Sequence, residues 1–108
     1  MHEVEADRHL ITEGHPTSRF VMILDGAVTV RSDGVELIVR ESGDYCGEIG
    51  LLDRLSGGPG IASASVVTNR DSLLRSLAPW EFKQLLDRSP AARDDVIAQA
   101  RTRLRRSR

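Results

Sequence analysis

The chain has 108 residues, 40% hydrophobic, 29% charged and only 4% aromatic; this fits one compact unit with an aliphatic core and excludes a disordered or low-complexity chain. No apolar run approaches the ~20 residues of a membrane-spanning helix, the acidic start MHEVEADRH is unlike a secretory leader, and a lone cysteine forms no internal disulfide, so a cytoplasmic location is expected. The net charge of −1 hides a division, because residues 1–53 hold eleven acids and four arginines whereas residues 54–108 hold five acids and eleven bases.

The first two-thirds of the chain reads as short strands parted by turn residues. His9–Thr12 is a first candidate, stopped by Glu13-Gly14-His15-Pro16. Phe20–Leu24 (FVMIL) is apolar and strand-like, Asp25-Gly26 is a hairpin signal, and Ala27–Arg31 (AVTVR) alternates as its partner. Ser32-Asp33-Gly34 turns the chain into Val35–Arg40, and Ser42-Gly43-Asp44 turns it again. Strands at a spacing of about 8–12 residues with glycine turns predict an antiparallel sandwich or barrel.

Next comes GDYCGEIGLL, Gly43–Leu52, followed by a second glycine-rich run, RLSGGPGIASASVV. It lacks the Gly-Lys-Ser/Thr of a nucleoside-triphosphate loop and is not GxGxxG between strand and helix. GEIGLLDR is compatible with a short helical turn whose free N–H groups face the incoming chain, a site for a phosphate or a carboxylate. Glu48 in that turn is a poor neighbour for an anion and a good acceptor for sugar hydroxyls. Phosphate donors beside a ribose acceptor suit a nucleotide.

Ala62–Thr68 is strand-like, Asn69-Arg70-Asp71 turns, and Ser72–Leu77 is a last strand by context, with ambiguous period. The period then changes. Pro79 opens a helix over about 79–87, with Trp80, Phe82, Leu85 and Leu86 near one face and Trp80 as its packing anchor. Ser89 and Pro90 open a second over about 90–106, whose apolar stripe is Val96, Ile97, Ala100 and Leu104. The closing RTRLRRSR reads as a solvated helix end whose cations complement the dipole, with no aromatic among them for base stacking. The plan is mainly β with C-terminal helices: one domain over 1–108, a roll over about 9–77 and the helices after it. Cys46 reads as a small buried hydrophobe. His2, His9 and His15 lack metal spacing, and no serine has a His/Asp partnership, so neither a metal, a cofactor nor an enzymatic activity is expected.

From about His9 to Leu104 the chain resembles the cyclic nucleotide-binding domain family. EGHPTSRFVMILDGAVTV is similar to the opening hairpins, GDYCGEIGLL to the phosphate-binding cassette, and ASASVVTNRDSLLRSLAPWEF to the strand pair and helix that follow. The resemblance implies an eight-stranded antiparallel β-roll, a double-stranded jelly roll with flanking helices. It implies that Gly47 allows close backbone approach and that Glu48 accepts the ribose 2′-hydroxyl. Ile49, Gly50 and Leu51 would then offer N–H groups to the cyclic phosphate. Ala62 stands where the family carries its phosphate arginine, and Ser63 occupies the following position, which is linked to purine preference.

Three departures stand out. Neither Ala62 nor Gly60, the alternative alignment on Pro59, is basic. Cys46 replaces the usual aromatic, and the loop from Asp53 to Ile61 is a few residues longer than the family's connection. A charge-assisted hydrogen bond is worth about 1.5–3 kcal/mol, so its loss implies binding weaker by about ten- to a hundredfold or more. Arg54 is the nearest base in sequence that could take its place. The implied function is a regulatory module that senses a cyclic nucleotide, cAMP ahead of cGMP, and relays it through the C-terminal helices to an attached or separate effector domain. The alternative is a degenerate roll that binds no nucleotide and acts as an interaction or dimerisation module; a homodimer through the C-terminal helices is compatible with either. The family's transcription regulators carry a helix-turn-helix beyond these helices, so direct nucleic-acid binding is not expected from a chain ending at Arg108. With only MHEVEADR before the first strand, an excised or minimal domain is the expectation.

Overall fold

The computed structural model describes residues 1–106. In chain order the elements are β1 His2–Val4, β2 His9–Ile11, β3 Phe20–Asp25, β4 Ala27–Ser32, β5 Val35–Glu41, β6 Tyr45–Cys46, α1 Glu48–Leu55, β7 Ser65–Thr68, β8 Ser72–Leu77, α2 Pro79–Arg88 and α3 Pro90–Arg106. The strands form two four-stranded sheets, ordered β1-β8-β3-β6 and β2-β7-β4-β5, with every pairing antiparallel. The eight-stranded antiparallel roll with C-terminal helices is therefore the fold the chain adopts.

The turns do two different jobs. Asp33 and Gly34 both have positive φ, 52° and 76°, and close β4 onto β5 as a two-residue hairpin that pairs Ser32 with Val35. Asp25-Gly26 was expected to do the same for β3 and β4, and it does not. Both long edges of β3 are taken by β6 and β8, so at Gly26, φ 122°, the chain crosses to the other sheet. A Cβ at Gly26 would run into Ser72, so the crossing requires glycine.

Two strands had no clear sequence signal. β1 is a largely polar segment whose His2 and Glu3 are exposed, held by its ladder to β8 and by Val4 against the core between the sheets. β6 is two residues long. Conversely β7 begins at Ser65 and not at Ala62, because Ala62 is bonded through its backbone to Gly14 and His15.

Two apolar cores result. Ile11, Val21, Ile23, Val28, Cys46, Val66 and Leu74 pack between the sheets. Phe20, Leu51, Phe82, Leu86 and Val96 join the helices to the roll, and Phe20 lies between Tyr45 and Phe82 at ring-centroid distances of 5.0 and 4.9 Å. Pro79 opens α2, and the Ala78 N–H donates to Glu81 Oε1 at 2.9 Å. Ser89 Oγ accepts the Ala92 N–H at 3.2 Å, which caps α3. Trp80 is 64% exposed and belongs to neither apolar core, so Phe82 and Leu86 anchor the helix in its place. Among the described side chains of α3 the buried ones are Val96, Ala100 and Arg103, while Leu104 is exposed. These lie at i, i+4 and i+7, so an arginine completes the stripe expected to end in leucine. Among the described residues no helix is long and apolar enough to cross a membrane. The end of the basic run, Ser107-Arg108, lies outside the described residues.

Candidate functional site

Between the inner face of the β2-β7-β4-β5 sheet and the start of α1 lies a cavity of about 550 Å³. Its position follows from the glycines of GDYCGEIG. Gly47 has φ 95° and forms the left-handed N-cap of α1; a Cβ there would strike the Arg19 carbonyl, and one at Gly50 would strike the Thr17 side chain. Both glycines let the first turn of α1 press against the loop that enters β3. In that first turn the N–H groups of Glu48, Ile49 and Gly50 precede any intrahelical acceptor, and no side chain caps them.

Gly47, Glu48, Ile49 and Gly50 form one wall of the cavity, and Ala62 and Ser63 belong to another. Leu51 lies outside it: its side chain is buried in the helix-side core and its N–H donates to the Gly47 carbonyl at 3.2 Å. Arg54 is outside it too. Its Nη1 donates to the Thr17 carbonyl at 2.7 Å, which ties α1 to the chain before β3. The long loop after α1 is braced by Asp53, whose Oδ2 accepts the Gly60 N–H at 2.9 Å.

Three charged side chains line the cavity, Arg40, Glu48 and Arg103, and Asp44 beside it joins them into one network. Glu48 is buried, 1% exposed, and its Oε1 accepts Arg103 Nη1 at 2.6 Å. The same Nη1 donates to the Tyr45 carbonyl at 2.7 Å, and Nη2 donates to Asp44 Oδ1 at 2.6 Å. Asp44 Oδ2 accepts Arg40 Nη1 at 3.1 Å. Arg103 also stacks over the Tyr45 ring at 5.1 Å. A further contact pins the start of α3, because Tyr45 Oη donates to Asp95 Oδ2 at 2.9 Å. Glu48 Oε2 is buried without a hydrogen-bond partner among the described residues. An orphaned carboxylate oxygen on a residue that lines a cavity is a costly feature that a hydroxyl donor relieves.

The electrostatics follow from this packing. Burial works against the Arg103 charge, but Glu48 and then Asp44 outweigh it, so the guanidinium is held above its ordinary value. Burial first, then the Glu48 charge, pushes the Cys46 thiol up to about 12, so it stays protonated at neutral pH. Tyr45 is raised as well, by burial and then by its bond to Asp95.

In sequence Arg103 reads as part of a solvated basic run, Asp44 as a turn residue and Tyr45 only as part of GDYCGEIGLL. The one signal for Arg103 was its place one heptad after Val96. Arg40 carried no such signal, because alternation would turn Val35, Leu37 and Val39 inward, whereas in the structure those three are exposed and Ile38 and Arg40 are the half-buried positions of β5.

A family model described as the cyclic nucleotide-binding domain matches residues 1–89. No curated protein gives a significant match. Among solved structures, cAMP-bound PfPKA-R (141-441) is 25% identical with a TM-score of 0.68, over 79% of this chain and 28% of that one. This chain thus spans under a third of that protein's length. Sp-2Cl-cAMPS bound to PKAR CBD2 is 20% identical with a TM-score of 0.68, over 91% and 68%, a likeness of fold. A structure reported as "A cyclic-GMP-dependent signalling pathway regulates bacterial phytopathogenesis" is 25% identical with a TM-score of 0.75, over 95% and 81%.

Proposed function

The chain belongs to the cyclic nucleotide-binding domain family, and from that premise we propose that it is a regulatory module whose cavity takes a cyclic nucleotide, cAMP ahead of cGMP. The observation that carries this reading is Glu48, a buried residue of the cavity lining that is paired with Arg103 through one oxygen and leaves the other without a partner among the described residues. The ribose 2′-hydroxyl is the donor that Oε2 lacks. The N–H groups of Glu48, Ile49 and Gly50 are then oriented toward the cyclic phosphate, and Ala62 and Ser63 flank the ligand from the opposite wall. A cAMP-bound structure among the similar ones supports testing that nucleotide first.

The same pair supplies a route to the C-terminal helices. Because Glu48 is the partner of Arg103, a ligand bonded to Glu48 would change the strength of that contact and so bias where α3 sits. A difference in affinity between two states is what couples a site to an output. The exposed face of α3, which includes Leu104, is where an effector domain, attached or separate, or a second copy would read that difference.

A second reading has its own support. The stretch Gly60 to Ala64 carries no cation, and Arg54 is turned to Thr17. A roll in that condition serves as an interaction or dimerisation module without a nucleotide. Isothermal titration with cAMP and with cGMP separates the two: saturable heat supports the sensor, and none at millimolar nucleotide leaves only the scaffold.

A further inference from the structure

We infer that Arg40 supplies the cationic contact to the ligand's anionic group, a part that the Gly60–Ala64 wall does not provide. This rests on the nucleotide reading of the cavity. The charged side chains at the wall are Arg40, Glu48 and Arg103. Both terminal nitrogens of Arg103 are engaged at 2.6–2.7 Å, to Glu48, Asp44 and the Tyr45 carbonyl, in a side chain only 10% exposed. Arg103 is therefore committed to the protein.

Arg40 is not. Its single ion pair, Nη1 to Asp44 Oδ2, is the longest of the network at 3.1 Å, and its Nη2 and Nε donate to no described residue. Asp44 is itself divided, since its Oδ1 also accepts Arg103 Nη2 at 2.6 Å and the Tyr45 N–H at 2.7 Å. The carboxylate thus neutralises Arg40 only in part. Arg40 lines the cavity, and the guanidinium nitrogens that Asp44 leaves without a protein acceptor are not among the buried ones, so they stay open to a ligand. The placement becomes favourable once an anion fills the cavity. The guanidinium is also the side chain whose planar fork matches two phosphate oxygens at once.

Affinities for cAMP and for adenosine, which keeps base and ribose but lacks the charge, test this. The parent protein is expected to bind cAMP at least about tenfold more tightly than adenosine, with the gap narrowing as salt rises. In Arg40→Leu, the preference for cAMP over adenosine is expected to shrink about tenfold, the remainder being carried by the N–H groups of Glu48, Ile49 and Gly50, while adenosine binding is unchanged. If Arg40→Leu keeps the parent's ratio, the inference is wrong and the nucleotide reading survives. Equal binding of adenosine and cAMP by the parent overturns it as well, without depending on how any variant folds. A parent that binds neither compound overturns the nucleotide reading and this inference together.

Discussion

Two charges leave water when Glu48 meets Arg103, with side chains 2% and 10% exposed. Removing one partner of a buried pair leaves the other uncompensated, at a cost of about 3–5 kcal/mol. Glu48→Leu and Arg103→Leu should each destabilise the protein by about that amount in denaturant titrations, and the double variant by clearly less than their sum. Additive losses would mean that the 2.6 Å contact carries no coupling. Cys46 offers a test by pH. Its folded value of about 12 lies above the ordinary 9.0, so burying the neutral thiol contributes stability that is complete below about pH 9. That contribution is lost as pH rises from 9 toward 12, because the unfolded chain ionises first. Melting temperature should therefore fall over this range, and fall less in Cys46→Ala; parallel curves for the two proteins would contradict the assignment. In the same terms, the folded thiol should resist alkylation at pH 8.

Among the elements, α1 and α3 behave as one unit through the Arg103 contacts and the Tyr45–Asp95 bond. Hydrogen exchange on Arg103→Leu should quicken in β6 and α1 as well as in α3, with β4 and β5 unchanged; faster exchange confined to α3 would sever that link. Gly47→Ala should cost at least about 1–2 kcal/mol from its left-handed backbone alone, with further loss from the Arg19 carbonyl. These elements also mark what could be read in the sequence. The long strands, the Asp33-Gly34 hairpin and both C-terminal helices were legible, because alternation, turn chemistry and Pro79 and Pro90 are local signals. The Asp25-Gly26 corner was not, because a turn residue says that the chain bends but not which sheet receives it. β1 and β6 escaped because two- and three-residue strands are defined by their partners. Glu48 and its flanking glycines were singled out from their pattern. Arg103 was not, because its role depends on meeting residues 55 and 59 positions away.

Across the whole molecule, the acidic first half and basic second half are joined where Asp44 and Glu48 receive Arg103. Two sheets hold the cavity, the helix-side core around Phe20 and Phe82 seats α2 and α3, and the ion-pair network crosses from one region to the other. The site and the helices that would report on it therefore share side chains. The central claim is that the turn at Gly47–Gly50 receives a cyclic nucleotide, and amide-resolved NMR titration of the full chain with cAMP reads it most directly. The expected result is saturable shifts of the Glu48, Ile49, Gly50 and Ser63 amides, followed by those of α3. Spectra unchanged up to millimolar cAMP, or shifts confined to surfaces away from the cavity, would contradict it.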